Sequence, residues 1–342
     1  MIPNQWYVIL ESNEVKTGQP VGVTRMGEKL VLWRDAQGQV TCMADLCPHR
    51  GVALSIGKLA GECVECPFHG FQFDPSGRCT LIPANGKNAT PPKAFQVKRV
   101  YPAREAHGFI YIYWGEPKDD LPSAILPPAL LPPALLPPLP WFDSIDDSFS
   151  YSTLRDLWAT HYSRAIENQL DSVHVPFVHK TTIGRGNRTL INGPLTHIES
   201  QPYGDVINMW VFNEVDTGQK PRRASELPAP TRHPMLQFIF PNLWQNWIAD
   251  DLRVVVAFVP IDAENTMMYL RQYQRIARTP VVRELFNALG TLGNLIIERQ
   301  DKRIVITQRP KASGLHIGEK MIPGDGPIVD YRRRRDELIA GK

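Results

Sequence analysis

The feature that most constrains this 342-residue chain is the spacing of four side chains. Cys47-Pro48-His49-Arg50-Gly51 is followed, with sixteen residues between His49 and Cys66, by Cys66-Pro67-Phe68-His69-Gly70-Phe71. Each pair offers one thiolate and one imidazole on a stretch marked as a turn by its proline and glycine, so the two pairs together read as the ligand set of one metal centre. Four cysteines at such spacing would suggest a structural zinc or an all-thiolate cluster. A zinc knuckle built from Cys42, Cys47, Cys63 and Cys66 is the alternative, since Cys63-Val64-Glu65-Cys66 is itself a C-x2-C. That reading leaves His49 and His69 without a role. Cys42, Cys63 and Cys79 are then expected to be small core residues near the centre.

The surrounding residues 1–118 read as a small all-β domain. Val21–Met26, Lys29–Trp33 and Phe109–Trp114 are rich in β-branched and aromatic residues, and Asp35–Gly38 and Asp74–Gly77 supply turns between such runs. From Leu121 to Pro140 the chain repeats a five-residue unit of the form Leu-Leu-Pro-Pro-Ala. Proline removes backbone donors and fixes φ, so an extended linker over 119–141 is expected. Residues 142–342 should form a second domain. Ser152–Val173 is helix-compatible up to Pro176. Strand-like runs follow at Val206–Phe212, Met235–Phe240, Leu252–Val259 and Met267–Tyr273, and a last helical stretch runs over about 281–307. That order suggests an α+β domain, an antiparallel sheet with helices packed on one face.

The second domain carries its own constellation. In Asn168-Gln169-Leu170-Asp171-Ser172-Val173-His174-Val175-Pro176-Phe177-Val178-His179, Asp171 and His174 would share one face of a helix, with Asn168 a turn earlier. His179 lies off that face, and Pro176 offers a bend to bring it round. Two imidazoles need a carboxylate to make a facial triad for Fe(II) with positions left open for O2.

The first motif resembles the Rieske motif of the ring-hydroxylating oxygenases, in which two His replace two Cys on one iron of a [2Fe–2S] cluster. Trp6-Tyr7-Val8 and Arg50-Gly51 are also similar to that family, and 168–179 resembles its D-x2-H-x4-H iron motif together with the preceding Asn. The resemblance implies Cys47, His49, Cys66 and His69 as cluster ligands and His174 and His179 as ligands of a mononuclear Fe(II). It implies Asp301 as the third iron ligand, with Glu298 as second choice, and a catalytic domain similar to a helix-grip fold. It further implies that Asp171, assisted by Asn168, links His69 of one chain to His174 of the next in a homotrimeric ring, as in the compact members such as the dicamba and vanillate O-demethylases and the saxitoxin-pathway hydroxylases. The Pro-Leu repeat departs from them.

Electrons would come from NAD(P)H through a separate reductase, and possibly a ferredoxin, because the chain has no GxGxxG fingerprint. The expected activity is that of a terminal oxygenase that hydroxylates or O/N-demethylates a small, ring-containing organic substrate with O2. A cis-dihydroxylating dioxygenase is one alternative, and a Rieske electron-transfer protein with an inactive second domain is another. Phe177, Trp210, Phe212, Phe238, Phe240, Trp244 and Trp247 are candidate pocket walls or core residues. A formal charge of +3 gives no reason to expect a nucleic-acid or membrane-surface partner. All five cysteines lie between 42 and 79, clustered like ligands rather than spread like a disulfide framework. With no visible signal peptide or membrane span, a cytoplasmic location is expected. Arg332–Arg335 is expected to be a solvated face.

Overall fold

The computed structural model describes residues 1–115, 136–184 and 188–341. These divide into two compact units, Met1–Leu139 and Pro140–Lys342. Most of the stretch expected as a linker lies outside the described residues. Of its described part, residues 136–139 belong to the first unit, where the Trp6 indole donates to the Pro137 carbonyl at 2.9 Å.

The first unit is built from β1 (Gln5–Glu11), β2 (Val21–Arg25), β3 (Glu28–Arg34), β4 (Val40–Ala44), β5 (Lys58–Ala60), β6 (Cys63–Glu65), β7 (Gln72–Phe73), β8 (Cys79–Leu81), β9 (Val100–Tyr101), β10 (Ala103–Ala106) and β11 (Phe109–Trp114). They form three small sheets, ordered β2-β3-β4-β9, β5-β6-β7-β8 and β1-β11-β10. Two apolar cores result. Trp33, Leu54, Val64 and Phe73 enclose Cys47, Cys66 and Cys79 in one of them. Cys42 lies in the other, with Tyr7, Leu30 and Tyr101, so it is a core residue away from the motif rather than beside it. Cys63 is only half-buried and sits 3.5 Å from the Thr80 hydroxyl.

The second unit runs β12 (Ser150–Trp158), α1 (Tyr162–Leu170), α2 (Val175–Val178), β13 (Leu190–Gln201), β14 (Gly204–Glu214), β15 (Leu236–Ile239), β16 (Leu243–Ala249), β17 (Leu252–Pro260), β18 (Thr266–Gln274), α3 (Pro280–Val305) and α4 (Gly326–Ile339). Its seven strands form one antiparallel sheet in the order β12-β18-β17-β16-β15-β14-β13. The long helix α3 packs on β12 and β18, and α4 packs on β13 and β14.

Two expectations need correction here. Ser152–Val173 is not one helical stretch. Its first half pairs residue for residue with β18, from Ser150 opposite Gln274 to Trp158 opposite Thr266. Leu154, Arg155 and Leu157 are good helix formers, but tertiary pairing overrides weak propensity. The helix that follows is only nine residues long, started by His161, whose Nδ1 accepts from the Ser163 amide. The arginine run is solvated only in part, with Arg333 exposed. Arg332 is 3% exposed and clamps both oxygens of the buried Glu167, at 2.7 and 2.9 Å. Arg335 is buried against Ser313.

Candidate metal centres

The first motif folds into two matched turns. In one, the Gly51 amide donates to the Cys47 carbonyl and the Cys47 amide to the Val52 carbonyl, at 2.9 and 2.8 Å. In the other, the Gly70 amide donates to the Cys66 carbonyl and the Cys66 amide to the Phe71 carbonyl, at 3.0 and 2.8 Å. Both turns close through a left-handed residue, Gly51 at φ +73° and Gly70 at φ +71°, a conformation that a side chain would strain. The cysteines point inward, each 2% exposed, while His49 and His69 lie at the surface with ring centroids 4.7 Å apart. The Phe71 ring stacks on His49, and Phe68 lies against His69.

Burial pushes the Cys47 thiol up to about 11, opposed by the His49 and Arg50 amides and reinforced by the neighbouring Cys66 thiol. A buried thiol raised in this way keeps its proton unless a cation draws it off. An inner thiol pair and an outer imidazole pair therefore fit a two-iron cluster whose irons differ in ligands, and not a site of four thiolates.

The second constellation is assembled by the break between two helices. α1 ends at Leu170, and Asp171 caps it in an extended conformation (φ −91°, ψ 115°). Asp171 and His174 therefore do not share a continuous helical face. The Oδ1 of Asp171 instead accepts from the Val173 and His174 amides at 2.6 and 3.2 Å, a local turn of the kind aspartate favours. That turn leads into the four-residue α2, which His174 and His179 flank at its two ends. The reversal comes at 171–174, before Pro176, whose ring sits in the first turn of α2 where a missing donor costs nothing.

α3 supplies the carboxylate. The Oδ1 of Asp301 lies 2.9 Å from His179 Nε2 and 3.4 Å from His174 Nε2, and the two Nε2 atoms are 3.3 Å apart. Of the described residues, only His174, His179 and Asp301 bring three such donor atoms within 4.8 Å of one another. Asp301 is 3% exposed, yet its Oδ1 makes no hydrogen bond in spite of its two imidazole neighbours. Lone pairs facing one another in a buried site suit a cation between them. Two imidazoles and one carboxylate on one side are a donor set for Fe(II) with open positions.

Glu298, the alternative ligand, lines the same cavity but stands outside this donor group and accepts from the Trp158 indole. It is buried, not a surface acid.

Two further residues escape sequence reasoning. His179 Nδ1 donates to Gln300 Oε1 at 2.8 Å, and Thr182 Oγ1 donates to the same oxygen at 2.9 Å. Since an amide oxygen only accepts, this contact leaves the proton on Nδ1 and the Nε2 lone pair toward Asp301. Gln169 Nε2 reaches Asp301 Oδ2 at 3.5 Å. Nothing in the sequence marks either one beyond proximity to a candidate ligand.

Burial opposes protonation of His174, but Asp171 and Asp301 outweigh it and push the group up to about 9. Burial would raise Asp301, and the two histidines instead hold it well below the usual carboxylate range. His174 Nδ1 is 3.6 Å from Asp171 Oδ2, too long for a hydrogen bond but close enough for charge attraction. Asn168, on the last turn of α1, borders the same cavity.

That cavity has a volume of about 470 Å3 and lies between the sheet and α3. Trp158, Trp244, Trp247, Met268, Leu270 and Ile297 supply apolar wall beside His174, His179 and Asp301. Of the aromatics considered from sequence, Trp244 and Trp247 line it. Phe238 and Phe240 pack on Tyr331 of α4 as core, and Phe177 is exposed.

A Rieske-type ligand arrangement in one unit and a two-histidine, one-carboxylate site in the other define the class of the two-centre oxygenases. Residues 5–99 match the model of the Rieske [2Fe-2S] domain, and residues 158–341 match that of the vanillate O-demethylase oxygenase C-terminal domain. The chain belongs to this family of Rieske oxygenases, which carry a [2Fe–2S] cluster and a mononuclear iron.

A curated relative, the iron-sulfur subunit of a toluene-4-sulfonate monooxygenase system from Comamonas testosteroni, is 29% identical over 214 residues, 62% of this chain. The match covers 56% of that relative, so the chain spans about half the length of the curated protein it resembles. Among solved structures, NdmA from Pseudomonas putida CBB5 superposes with a TM-score of 0.76 at 20% identity, over 98% of this chain and 90% of that one. Dicamba monooxygenase bound to dicamba gives 0.71 at 19% identity, over 99% and 98%. These two likenesses establish the fold. No helix among the described residues is long and apolar enough to cross a membrane.

Proposed function

We propose that this chain is the terminal oxygenase component of a multicomponent system and oxidises a small, ring-containing organic molecule with O2. The observation that carries this reading is the convergence of His174, His179 and Asp301 beside a largely apolar cavity of about 470 Å3. An electron-transfer protein would need neither an intact triad nor a cavity next to it. Cys47 and Cys66 are assigned to one iron of the cluster and His49 and His69 to the other. When bound, the cluster supplies single electrons and the mononuclear iron activates O2.

The chain's own residues position these groups. Gln300 orients His179, Asp171 faces the outer nitrogen of His174, and the tryptophan walls exclude water from the substrate. Electrons come from NAD(P)H through a separate reductase, with or without a ferredoxin. They pass from His69 of one chain to Asp171 of its neighbour in a homotrimeric ring, as the family resemblance implies. Monooxygenation, either hydroxylation or O/N-demethylation, is favoured over cis-dihydroxylation by the relatives, whose names include a sulfonate monooxygenase and an N-alkylformylase.

Arg222 and Arg232 line an adjoining depression of about 480 Å3 that shares Val175, Ile183 and Met235 with the cavity. Arg222 also holds Glu214 at 3.0 Å. A cationic mouth leading to an apolar cavity suits an aromatic carboxylate or sulfonate. The test is O2 uptake by the reconstituted protein with a surrogate reductase, challenged with methoxybenzoates, aryl sulfonates and N-methylated purines. Uptake stimulated by one of these classes, with product formed in proportion, supports the reading. Uptake that responds to none contradicts it.

A further inference from the structure

One other cluster of ionisable groups borders the cavity. Glu298 stands one turn before Asp301 on α3, is 4% exposed, and forms part of the cavity wall. Its Oε1 accepts from the Trp158 indole, while its Oε2 finds no hydrogen-bond donor. Two charged groups face it, Asp156 from β12 and Lys302 from the next turn of α3. Lys302 holds both Asp156 oxygens, at 2.9 and 2.7 Å, so its charge is committed to Asp156. The neighbouring strand β18 presents the apolar Met268 opposite Asp156. The Asp156 side chain is 26% exposed and reaches solvent.

Burial, and then the adjacent Asp156 carboxylate, push Glu298 up to about 8, against the pull of Trp158. Asp156 goes the other way. Burial would raise it, but the Glu298 and Lys302 hydrogen bonds lower it. The proton of the pair therefore sits on Glu298 and the charge on Asp156. A protonated Glu298 carboxyl can donate to the Asp156 carboxylate beside it.

We propose that Glu298 is the internal proton source for the reaction in the cavity and Asp156 its route to solvent. This rests on the oxygenase reading above. Monooxygenation consumes substrate, O2, two electrons and two protons, and yields hydroxylated product and water. The O–O bond and one C–H bond break, and C–O and O–H bonds form. The reductase supplies the electrons, and the protons must enter a cavity whose walls are largely apolar. Glu298 releases its carboxyl proton to the reduced oxygen and becomes a carboxylate. It recovers a proton from solvent through Asp156, because two adjacent carboxylates do not both stay ionised.

Glu298→Gln isolates the proton from the structure. The amide oxygen still accepts from Trp158 and the amide NH2 still donates to Asp156, but no proton can leave. Two measurements on the iron-loaded protein test the proposal. In infrared difference spectra of wild type against the variant, the wild type should show a protonated-carboxyl band that disappears on alkaline titration. In stopped flow, reoxidation of the dithionite-reduced protein by O2 with vanillate present should slow on the order of a hundredfold in the variant and show a larger solvent deuterium effect, because proton delivery then limits the rate. The absence of the band, or a variant with wild-type rate and isotope effect, would overturn the proposal and leave the oxygenase reading standing. A wild type that shows the band but whose O2 uptake responds to none of the methoxybenzoates, aryl sulfonates and N-methylated purines would sink both.

Discussion

His179 donates from Nδ1 to Oε1 of Gln300 at 2.8 Å, and Gln300 immediately precedes Asp301 on α3. One turn of one helix thus brings a carboxylate to one side of the imidazole and fixes the tautomer from the other. Gln300→Leu removes that acceptor without adding charge. The expected result is a loss of about 10- to 100-fold in Fe(II) affinity, with the cluster absorbance unchanged because its ligands lie in the other unit. Gln300→Glu keeps an acceptor and should retain most of the affinity. Equal iron affinity in Gln300→Leu and wild type would show that the contact is incidental.

His161 should make stability depend on pH. Burial, with the nearby Arg335 and Arg164 charges, lowers its pKa from the ordinary 6.5 to about 4. A depressed histidine contributes stability that is full above its unfolded value and is lost as pH falls through its folded value. Stability should therefore decline from about pH 6.5 to pH 4, by on the order of 2 kcal/mol from this group. His161→Asn keeps a cap for α1 and cannot titrate, so urea melts of that variant should be flatter over the same window.

On the proposed assignment, the exposed imidazoles of His49 and His69 set the cluster's potential. His69→Cys, or His49→Cys, replaces a neutral ligand with a thiolate and should move the potential well below that of the wild type. A cluster that assembles with an unchanged potential would mean that neither imidazole ligates iron.

Much of this was legible in the sequence. The two Cys-His pairs and the H-x4-H mark their candidate ligands by chemistry and short spacing, and both signals act over a few residues. Asp301 is over 120 positions from the histidines, and its place came from the family resemblance rather than from any pattern in the residues. β12 was misread as helix because its pairing with β18, more than 100 residues on, outweighs local propensity. The same holds for Arg332, whose burial depends on Glu167, and for Gln300, whose role appears only when α3 crosses α2. Side chains whose partners lie far along the chain carry no local signal.

Asp171→Asn tests the proposed electron relay. Asn is nearly isosteric with Asp, and its Oδ1 can still accept from the Val173 and His174 amides, so fold and both metals should be retained. It lacks the charge and the second acceptor oxygen that faces His174. Oxidation of the pre-reduced cluster in a single turnover with O2 should slow strongly. A wild-type rate would mean that electrons do not pass by this carboxylate.

The central claim, that one chain holds a Rieske cluster and a separate mononuclear iron, is tested most directly by metal analysis with EPR on reconstituted wild type and Asp301→Ala. Wild type should carry about three irons per chain and, once reduced, a Rieske-type signal. Asp301→Ala should keep that signal and fall to about two irons, because only the mononuclear site loses a ligand. Zinc in place of iron, no Rieske signal on reduction, or a variant that keeps its third iron would contradict the account.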